Sequence, residues 1–311
     1  MLVVGDANPD LVLRGDVVPR FGQAEQLLDD AALLIGGSAA ITAHGFARLG
    51  RPVSLLAAVG CDGLAAPMLA ELTAAGVRLC VVERATEPTG LTVVLSRVAD
   101  RAMLTRPGAI PTLTGAEVRQ AAAGIPDLGH VHVASLFLQP SLTTELPGVL
   151  EDLRAGGVTV SLDTNDDPRG TWRGVAELLP HVDVLLPNES EAVALARTIT
   201  GRAIGEAAAA ARELAGYGVL VAVKRGARGA LAVTADGTVR SVDAVPCEPV
   251  DTTGAGDTFD AAFLDGWLAG KPLDECLRRG VAAGTAAVTA VGGTAGQPSA
   301  GELDRQTRER P

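Results

Sequence analysis

Short, mostly apolar runs alternate along this chain with longer Ala-rich stretches whose apolar positions recur every three or four residues. The short runs are typical of strands buried on both faces, and the longer stretches are typical of helices that pack along one side. The predicted strands lie at Leu2–Val4 and at residues 53–57, 130–134, 159–162, 182–185 and 219–223. The predicted helices lie at residues 38–49, 64–75, 115–123, 142–155, 189–197, 203–215, 254–269 and 273–288. This alternation predicts βαβ units, a largely parallel sheet and an α/β fold.

Two segments, residues 11–34 and 89–106, break this alternation because they look like strands with no helix between them. The second segment predicts a hairpin, with strands at 92–96 and 102–105 and a turn near Ala99 and Asp100. We therefore expect a small accessory sheet over the mouth of a cleft. The main domain would comprise residues 1–10, 35–88 and 107–311.

Composition narrows the function classes. The chain has 311 residues, 47% of them hydrophobic, which is enough for one large α/β domain and excludes a disordered protein. The net charge of −11 disfavours nucleic acid as a partner, because nucleic-acid binding depends on Lys and Arg. No apolar run is long enough for a membrane helix, and the N-terminus lacks a signal-peptide pattern. Four scattered cysteines without a CxxC pair agree with a cytoplasmic location.

The most informative stretch is a set of small residues, Gly254, Ala255 and Gly256, directly before Asp257 at the start of a predicted helix. We call these three small residues the Gly-Ala-Gly turn. Backbone N–H groups at a helix N-terminus form an anion site, and small side chains let a phosphate approach them. A carboxylate beside a phosphate site suits phosphoryl transfer, with Asp257 as the base. The alternative is a tight turn whose Asp only complements the helix dipole.

Residues 251–263 read Asp-Thr-Thr-Gly-Ala-Gly-Asp-Thr-Phe-Asp-Ala-Ala-Phe, and this string resembles the C-terminal signature of the ribokinase, or PfkB-type, carbohydrate kinase family. Further similar segments follow in family order from Gly5 to about Pro298. The resemblance implies a ribokinase-like three-layer α/β/α sandwich with a small β-sheet lid at residues 11–34 and 89–106. It also implies ATP and Mg²⁺ as cofactors, a sugar or sugar-containing substrate, and a homodimer through the lid. We expect Asp257 to stay ionised as a weak base.

The resemblance also assigns the substrate side. Asp10 would bind sugar hydroxyls, and Gly36 and Gly37 would let substrate lie against backbone. Locally, a turn Asp and a plain helix entry with Ser38 as N-cap explain the same residues. Ile41 lies where the family usually has an Asn that contacts substrate, and residues 107–110, Pro-Gly-Ala-Ile, replace a usual Gly-Ala-Asn. The two changes favour a less polar substrate, such as a nucleoside.

On the nucleotide side, Asn188 and Glu191 match the family's NxxE motif, which would hold Mg²⁺ through water. A capping box is the alternative interpretation. Lys224 lies in a turn between two strands, where the family contacts the triphosphate, and Gly226 and Gly229 would let backbone approach it. A basic surface loop would explain the same turn.

Further residues carry weaker assignments. Asp251, with the loop that starts at Gly292, matches a site for a monovalent cation such as K⁺ in some relatives. Asp163 would lie near Mg²⁺ without binding it directly. His130 and His132 share one face of a strand, but two histidines without a third ligand do not predict a metal site, and we assign them no role.

The sequence thus predicts an ATP-dependent kinase acting on a hydroxyl group. No GxxxxGK[ST] motif and no GxGxxG motif after the first strand occurs, which excludes a P-loop and argues against a dinucleotide enzyme. The alternatives are a nucleoside kinase of the same fold, a kinase for a vitamin-like alcohol, and a catalytically silent sugar- or nucleotide-binding protein.

Overall fold

The computed structural model describes residues 1–97 and 101–308. The strands are β1 Leu2–Val4, β2 Asn8–Arg14, β3 Asp30–Gly36, β4 Ser54–Leu56, β5 Ala58–Gly60, β6 Arg78–Leu79, β7 Val82–Arg84, β8 Leu91–Ser96, β9 Arg101–Arg106, β10 His130–Val133, β11 Thr159–Leu162, β12 Val184–Leu185, β13 Leu220–Lys224, β14 Ala230–Val233 and β15 Val239–Val242. The helices are α1 Ser38–Arg48, α2 Ala65–Ala74, α3 Gly115–Ala123, α4 Pro140–Ala155, α5 Val175–Leu178, α6 Glu189–Thr200, α7 Ala207–Ala215, α8 Ala255–Leu268, α9 Leu273–Ala287 and α10 Ala300–Arg308.

A nine-stranded sheet forms the centre of the molecule, in the order β15-β14-β13-β12-β11-β10-β1-β4-β6. Its strands are parallel from β13 to β6, and β14 and β15 add an antiparallel edge. The parallel strands therefore end at one edge of the sheet, as in other open α/β sheets that bind ligands there. Asp6, Ser135 and Asp163 follow three of these strands, and Lys224 ends a fourth.

Helices cover both faces of this sheet. One buried apolar cluster joins the sheet to α3, α4, α6 and α7, and a second joins it to α1, α2, α8 and α9. The strands alternate side chains between the two clusters, as Leu2 and Val3 illustrate, because successive strand residues point to opposite faces. The three-layer α/β/α prediction is confirmed. No helix in the two described ranges has the length and apolar character needed to cross a membrane.

A separate four-stranded sheet, in the order β3-β2-β8-β9, is called the small sheet below. The hairpin predicted at 92–96 and 102–105 is confirmed by β8 and β9, which pair antiparallel, while its turn at Ala99 and Asp100 lies outside the described residues. The small sheet begins at Asn8 and its second strand ends at Gly36, so the expected boundaries at 10/11 and 34/35 fall inside β2 and β3. The division into a main domain and a lid stays a prediction.

Other elements differ from the sequence expectation at their ends. The strand predicted at 53–57 is observed as β4, and a further strand, β5, follows it and pairs with β7 as an isolated ribbon. The helix expected from residue 203 begins at Ala207, after Gly205, and α4 begins two residues early at Pro140. Proline is well tolerated at a first helical position because it lacks only an N–H that would be unpaired there.

Candidate functional site

The Gly-Ala-Gly turn starts α8. Gly254 is the N-cap residue and has a left-handed backbone with φ of 69°. A Cβ atom at this position would lie 2.5 Å from the Cα atom of Gly293, so the turn packs directly on the loop that follows α9. Glycine is therefore required at residue 254 both for its backbone conformation and for this close approach. The Ala255 N–H bonds the Thr252 carbonyl at 3.4 Å, and the N–H groups of Gly256 and Asp257 lie in the first turn of α8, where a helix offers them no partner of its own.

Asp257 lies in the first turn of α8 with only 9% of its surface exposed. Ser38 donates a hydrogen bond from its hydroxyl to the Asp257 carboxylate. Burial raises the pKa of Asp257 to about 7, and the charge of Asp163 adds to this effect, while Ser38 and Lys224 oppose it. The expectation of an ordinary weak base is wrong, because desolvation outweighs the helix terminus. Asp257 can bind and release a proton near neutral pH.

Lys224, at the end of β13, points at two carboxylates. Its Nζ atom lies 2.6 Å from Oδ2 of Asp163 and 3.1 Å from Oδ2 of Asp260. Burial alone would lower the pKa of Lys224, but the charges of Asp163 and Asp260 outweigh it and raise that pKa well above its ordinary value. The same Nζ atom lies 3.4 Å from where a Cβ atom of Gly256 would be. A fixed positive charge therefore lies beside the Gly-Ala-Gly turn.

Asp163, Asp257 and Asp260 form a buried acidic cluster, with one carboxylate oxygen of each within 4.8 Å of the others. This spacing alone would suit a metal ion. Lys224 already bonds two of the three carboxylates, so its ammonium group is the cation of this cluster. The cluster instead fixes the position of a lysine.

Asn188 and Glu191 form the capping box that the sequence left as an alternative. The Asn188 side chain accepts a hydrogen bond from the Glu191 N–H at 3.0 Å, and Glu191 accepts one from the Asn188 N–H at 2.7 Å. Burial, with the charge of Asp163, raises the pKa of Glu191 to about 7. The capping interpretation is confirmed, and the magnesium role of both residues stays a prediction.

An open cavity of about 540 Å³ lies next to the Gly-Ala-Gly turn. Its walls come from the loop at 224–229, the segment at 244–249 and the facing sides of α8 and α9. Lys224, Gly226, Gly229, Ala255 and Gly256 all line it, so most of the predicted nucleotide residues meet at one cavity. A Cβ atom at residue 229 would also come within 1.9 Å of a carbonyl oxygen of β15, which is a structural reason for glycine there.

Asp10 lies buried in β2, close enough to Asp257 for the two carboxyl charges to interact. Asn8 donates a hydrogen bond to Asp10 at 3.0 Å, but burial and the nearby charge of Asp6 raise the pKa of Asp10 to about 7. A Cβ atom at Gly36 would lie 1.9 Å from the Asp10 carboxylate, so that glycine makes room for it. Gly37 is the N-cap residue of α1, with φ of 85°.

Ile41 is 3% exposed and packs against the loop after α9, where a Cβ atom at Gly293 would lie 2.4 Å from its Cδ1 atom. Ile110 is also buried, with 1% exposed. Both side chains are therefore packed apolar groups, and contact with a substrate stays a prediction for each.

Asp251 joins two loops. Its carboxylate accepts hydrogen bonds from the Thr253 N–H at 2.9 Å and from the Gly292 N–H at 2.9 Å. Burial raises the pKa of Asp251, but these hydrogen bonds outweigh it and lower that pKa below its usual range. The two loops of the expected monovalent-cation site are thus in contact, while the cation itself stays a prediction.

Three contacts were missed by the sequence interpretation. Ser38 is the first residue of α1 rather than its N-cap, and its hydroxyl donates a hydrogen bond to Asp257. Arg101, on β9, donates hydrogen bonds of 3.0 Å to the hydroxyls of Thr252 and Thr253, so the small sheet contacts the loop before the Gly-Ala-Gly turn. Asp260 holds Lys224. Only Asp260 had a sequence signal, since it lies three residues after Asp257 on the same helix face.

The two histidines that the sequence left without a role lie on β10. His130 and His132 are buried and share the Ser161 hydroxyl at 2.8 Å. Burial lowers the pKa of His130 to about 3 and that of His132 to about 4, so both are neutral at physiological pH.

Comparison with known proteins gives one consistent result. The profile of pfkB family carbohydrate kinases matches residues 1–300. Ribokinase of Bacillus subtilis is 30% identical over 97% of this chain and 97% of its own length. Cytidine kinase of Thermococcus kodakarensis is 41% identical, but over only 34% of this chain and 36% of its own. The structure of Arabidopsis thaliana ribokinase complexed with ribose and ATP superposes with a TM-score of 0.81 at 26% identity, covering 99% of this chain and 98% of that one. The chain belongs to the pfkB family of carbohydrate kinases, which transfer a phosphoryl group to an alcohol.

Proposed function

We propose that this protein transfers the γ-phosphoryl group of ATP to a hydroxyl of a sugar or a sugar-containing small molecule. The observation that carries the proposal is Asp257, a buried carboxylate with a pKa of about 7 in the first turn of α8. A general base works best when its pKa lies near the working pH. Asp257 would accept the hydroxyl proton while the new O–P bond forms and the bond from the γ-phosphorus to ADP breaks.

The Gly-Ala-Gly turn and Lys224 would stabilise the charge of the transferring group. The first N–H groups of α8 and the Lys224 ammonium lie on one side of the site, next to Asp257. Removing one such donor typically slows a reaction about 10²–10³-fold. The 540 Å³ cavity beside the turn would hold the nucleotide, with Gly226 and Gly229 at its wall.

Mg²⁺ would enter with ATP, and Glu191 and Asn188 would hold it through water. Their oxygen atoms are the ligand type that Mg²⁺ prefers. Burial and the charge of Asp163 raise the pKa of Glu191, and a bound cation would favour its ionised form. Bound Mg²⁺ would neutralise part of the negative charge of the phosphates. A monovalent cation such as K⁺ would lie near Asp251, between the loops that Asp251 joins.

The acceptor would lie between the small sheet and the Gly-Ala-Gly turn, with the small sheet as its lid. Asp10 would bind its hydroxyls, and Gly36 and Gly37 would lie against it. Ribose is the ligand of the Arabidopsis relative and is the first sugar to test. A nucleoside is the second candidate, because Ile41 is an apolar side chain on this side and a cytidine kinase matches part of the chain. A catalytically silent binding protein would have no need of Asp257.

A homodimer through the small sheet is part of the proposal. Among the described residues, seven of ten exposed large apolar side chains lie in residues 18–33 or 103–104. Phe21 is fully exposed, Leu27 is 82% exposed and Leu104 is 59% exposed. A second copy of the chain would bury these side chains in a two-fold contact. Light scattering should give twice the chain mass, and Leu104→Lys with Phe21→Ser should give a monomer.

The test of the function is ADP release with MgATP across pentoses, hexoses, sugar acids and nucleosides. Asp257→Asn should lower kcat about 10²–10⁴-fold while nucleotide binding is retained. Asp265→Asn is the matched control, because Asp265 lies on the same helix in a buried ion pair with Arg279. We expect the control to lose stability but not catalytic chemistry. Full turnover by Asp257→Asn would reject the assigned base, and no turnover with any compound would favour a binding protein.

A further inference from the structure

Lys224 and the two carboxylates that bind it come from three separate parts of the fold. The lysine ends β13, Asp163 follows β11, and Asp260 lies in the second turn of α8. Only 12% of the Lys224 side chain is exposed, and the side chain of Asp260 has none of its surface exposed. One ammonium group thus links the sheet edge to the helix that carries Asp257.

Asp260 is unusual because only one of its oxygens is used. Oδ2 accepts the bond from Lys224, whereas Oδ1 is buried and has no hydrogen-bond partner within the part of the chain that the structure describes. A buried unpaired carboxylate oxygen destabilises a fold, so such a group is more readily explained by function than by stability. Lys224 needs only one carboxylate for charge balance, and Asp163 already supplies it at 2.6 Å.

We propose that Asp260 is a positioning residue that, together with Asp163, holds the Lys224 ammonium beside the Gly-Ala-Gly turn. Two carboxylates on different elements restrict the ammonium group to one place, while a single carboxylate would let the flexible lysine side chain rotate. Asp257 and Asp260 are three residues apart, so both face the same side of α8. The helix that carries the base therefore also fixes the cation that would meet the phosphate. This role in catalysis rests on the proposed function, but the restraint on Lys224 does not.

The chain contains only two lysines, Lys224 and Lys271, and this allows a direct test. An amine-reactive reagent should label Lys271 readily, because 34% of its side chain is exposed, and Lys224 slowly. Mass spectrometry of the two peptides gives a labelling ratio that needs no activity. In Asp260→Asn, we expect Lys224 to react at least tenfold faster relative to Lys271. An unchanged ratio would overturn the proposal.

Measurements of thermal stability and of kinetics distinguish a positioning role of Asp260 from a purely structural one. We expect Asp260→Asn to keep its melting temperature, since burial holds the pKa of Asp260 well above its ordinary value and the variant leaves the Lys224–Asp163 pair intact. The same variant should lower kcat about tenfold or more with little change in KM for the acceptor. A melting temperature that falls together with an unchanged kcat would overturn the positioning role.

Asp265→Asn provides the control on the same helix. Asp265 binds Arg279 at 2.7 Å and also pairs with Arg51, away from Lys224. This variant should lower the melting temperature without altering the labelling ratio. If it accelerates Lys224 labelling as much as Asp260→Asn does, general loosening of α8 explains the result and the proposal fails. A wild-type protein without kinase activity would reject the proposed function, while the labelling ratio would still test the restraint.

Discussion

The hydroxyl of Ser38 donates a hydrogen bond to the carboxylate of Asp257, across 219 residues of sequence. Asn165 in turn donates a hydrogen bond from Nδ2 to the Ser38 oxygen at 2.9 Å. Asn165 has a left-handed backbone, with φ of 53°. The first residue of α1 and the first turn of α8 are thereby joined.

Ser38→Ala should therefore change the pH dependence of the reaction. A hydrogen bond to the charged form lowers a carboxyl pKa, so removal of the Ser38 hydroxyl should raise the pKa of Asp257 above its value of about 7. A base must be deprotonated, so the acid limb of kcat/KM should move upward by about one pH unit. The rate at pH 9 should stay close to that of the wild type. A pH–rate profile of both proteins measures this.

Ser299→Ala is the control, because Ser299 also lies at a helix start but bonds Glu302, on α10. The pH–rate profile of Ser299→Ala should match that of the wild type. An acid limb that stays in place in Ser38→Ala would show that the hydroxyl does not set the pKa of the base.

Much of the fold could be predicted from sequence because local signals decide it. The apolar runs of β1, β10 and β11 and the helix at Gly115–Ala123 were predicted at or within one residue of their ends. The ends of α8 could be predicted because glycines flank this helix. The strands β6 and β7 were missed because they are two or three residues long and are formed by pairing with β4 and β5 rather than by their own composition.

The site was less predictable, since its contacts join distant segments. The Gly-Ala-Gly turn and Asp257 are contiguous and carry a local pattern. Ser38 was interpreted only as a cap, because nothing in the sequence tells that α1 and α8 begin side by side. The raised pKa of Asp257 also depends on burial by the whole fold. Arg101 had no signal at all, because its contact with Thr252 depends on how the small sheet docks.

Arg101→Ala should weaken closure of the small sheet over the site. Arg101 donates hydrogen bonds to the hydroxyls of Thr252 and Thr253 and lies 3.8 Å from the Asp251 carboxylate. Hydrogen bonds from a charged group are worth about 1.5–3 kcal/mol, so KM for the acceptor should rise roughly tenfold or more. ATP hydrolysis without acceptor should rise relative to transfer, because a closed lid excludes water. Steady-state kinetics with and without acceptor measure both effects.

Arg106→Ala, at the exposed far end of β9, is the matched control and should leave both quantities unchanged. If Arg101→Ala behaves like this control, the contact with Thr252 and Thr253 has no part in closure.

Gly254→Ala should damage the turn itself. A Cβ atom would lie 2.5 Å from the Cα of Gly293, and φ of 69° costs a non-glycine residue about 1 kcal/mol. The turn must shift, so kcat should fall about 10²-fold or more, while the free energy of unfolding falls by a few kcal/mol. Gly63→Ala is the control, since a Cβ atom there meets nothing within 4 Å. Equal kcat values for the two variants would contradict a strict requirement for glycine at residue 254.

The buried carboxyls also predict how stability depends on pH. Burial raises the pKa of Asp10, Asp257 and Glu191 to about 7 in the folded chain, whereas ordinary carboxyls titrate near pH 4. Between about pH 4 and 7 the folded chain therefore binds more protons than the unfolded chain. Their contribution is fully present below about pH 4 and is lost as pH rises through 7, so these three groups lower the free energy of unfolding between pH 5 and pH 8. His130 and His132, whose pKa values are lowered by burial, act in the opposite direction below about pH 6.5, so the fall should be clearest between pH 6.5 and pH 8.

Asp10→Asn removes one of these groups and should flatten this slope. The variant should gain stability relative to the wild type at pH 8 and lose that advantage at pH 5, because an amide neither binds nor releases a proton. Asp236→Asn is the control: a hydrogen bond from the Thr234 hydroxyl lowers the pKa of Asp236 to about 2, so it does not titrate in this range. Urea unfolding at several pH values measures the slopes. Parallel slopes for the wild type and Asp10→Asn would mean that Asp10 titrates normally, and that the acceptor side is more hydrated than its burial indicates.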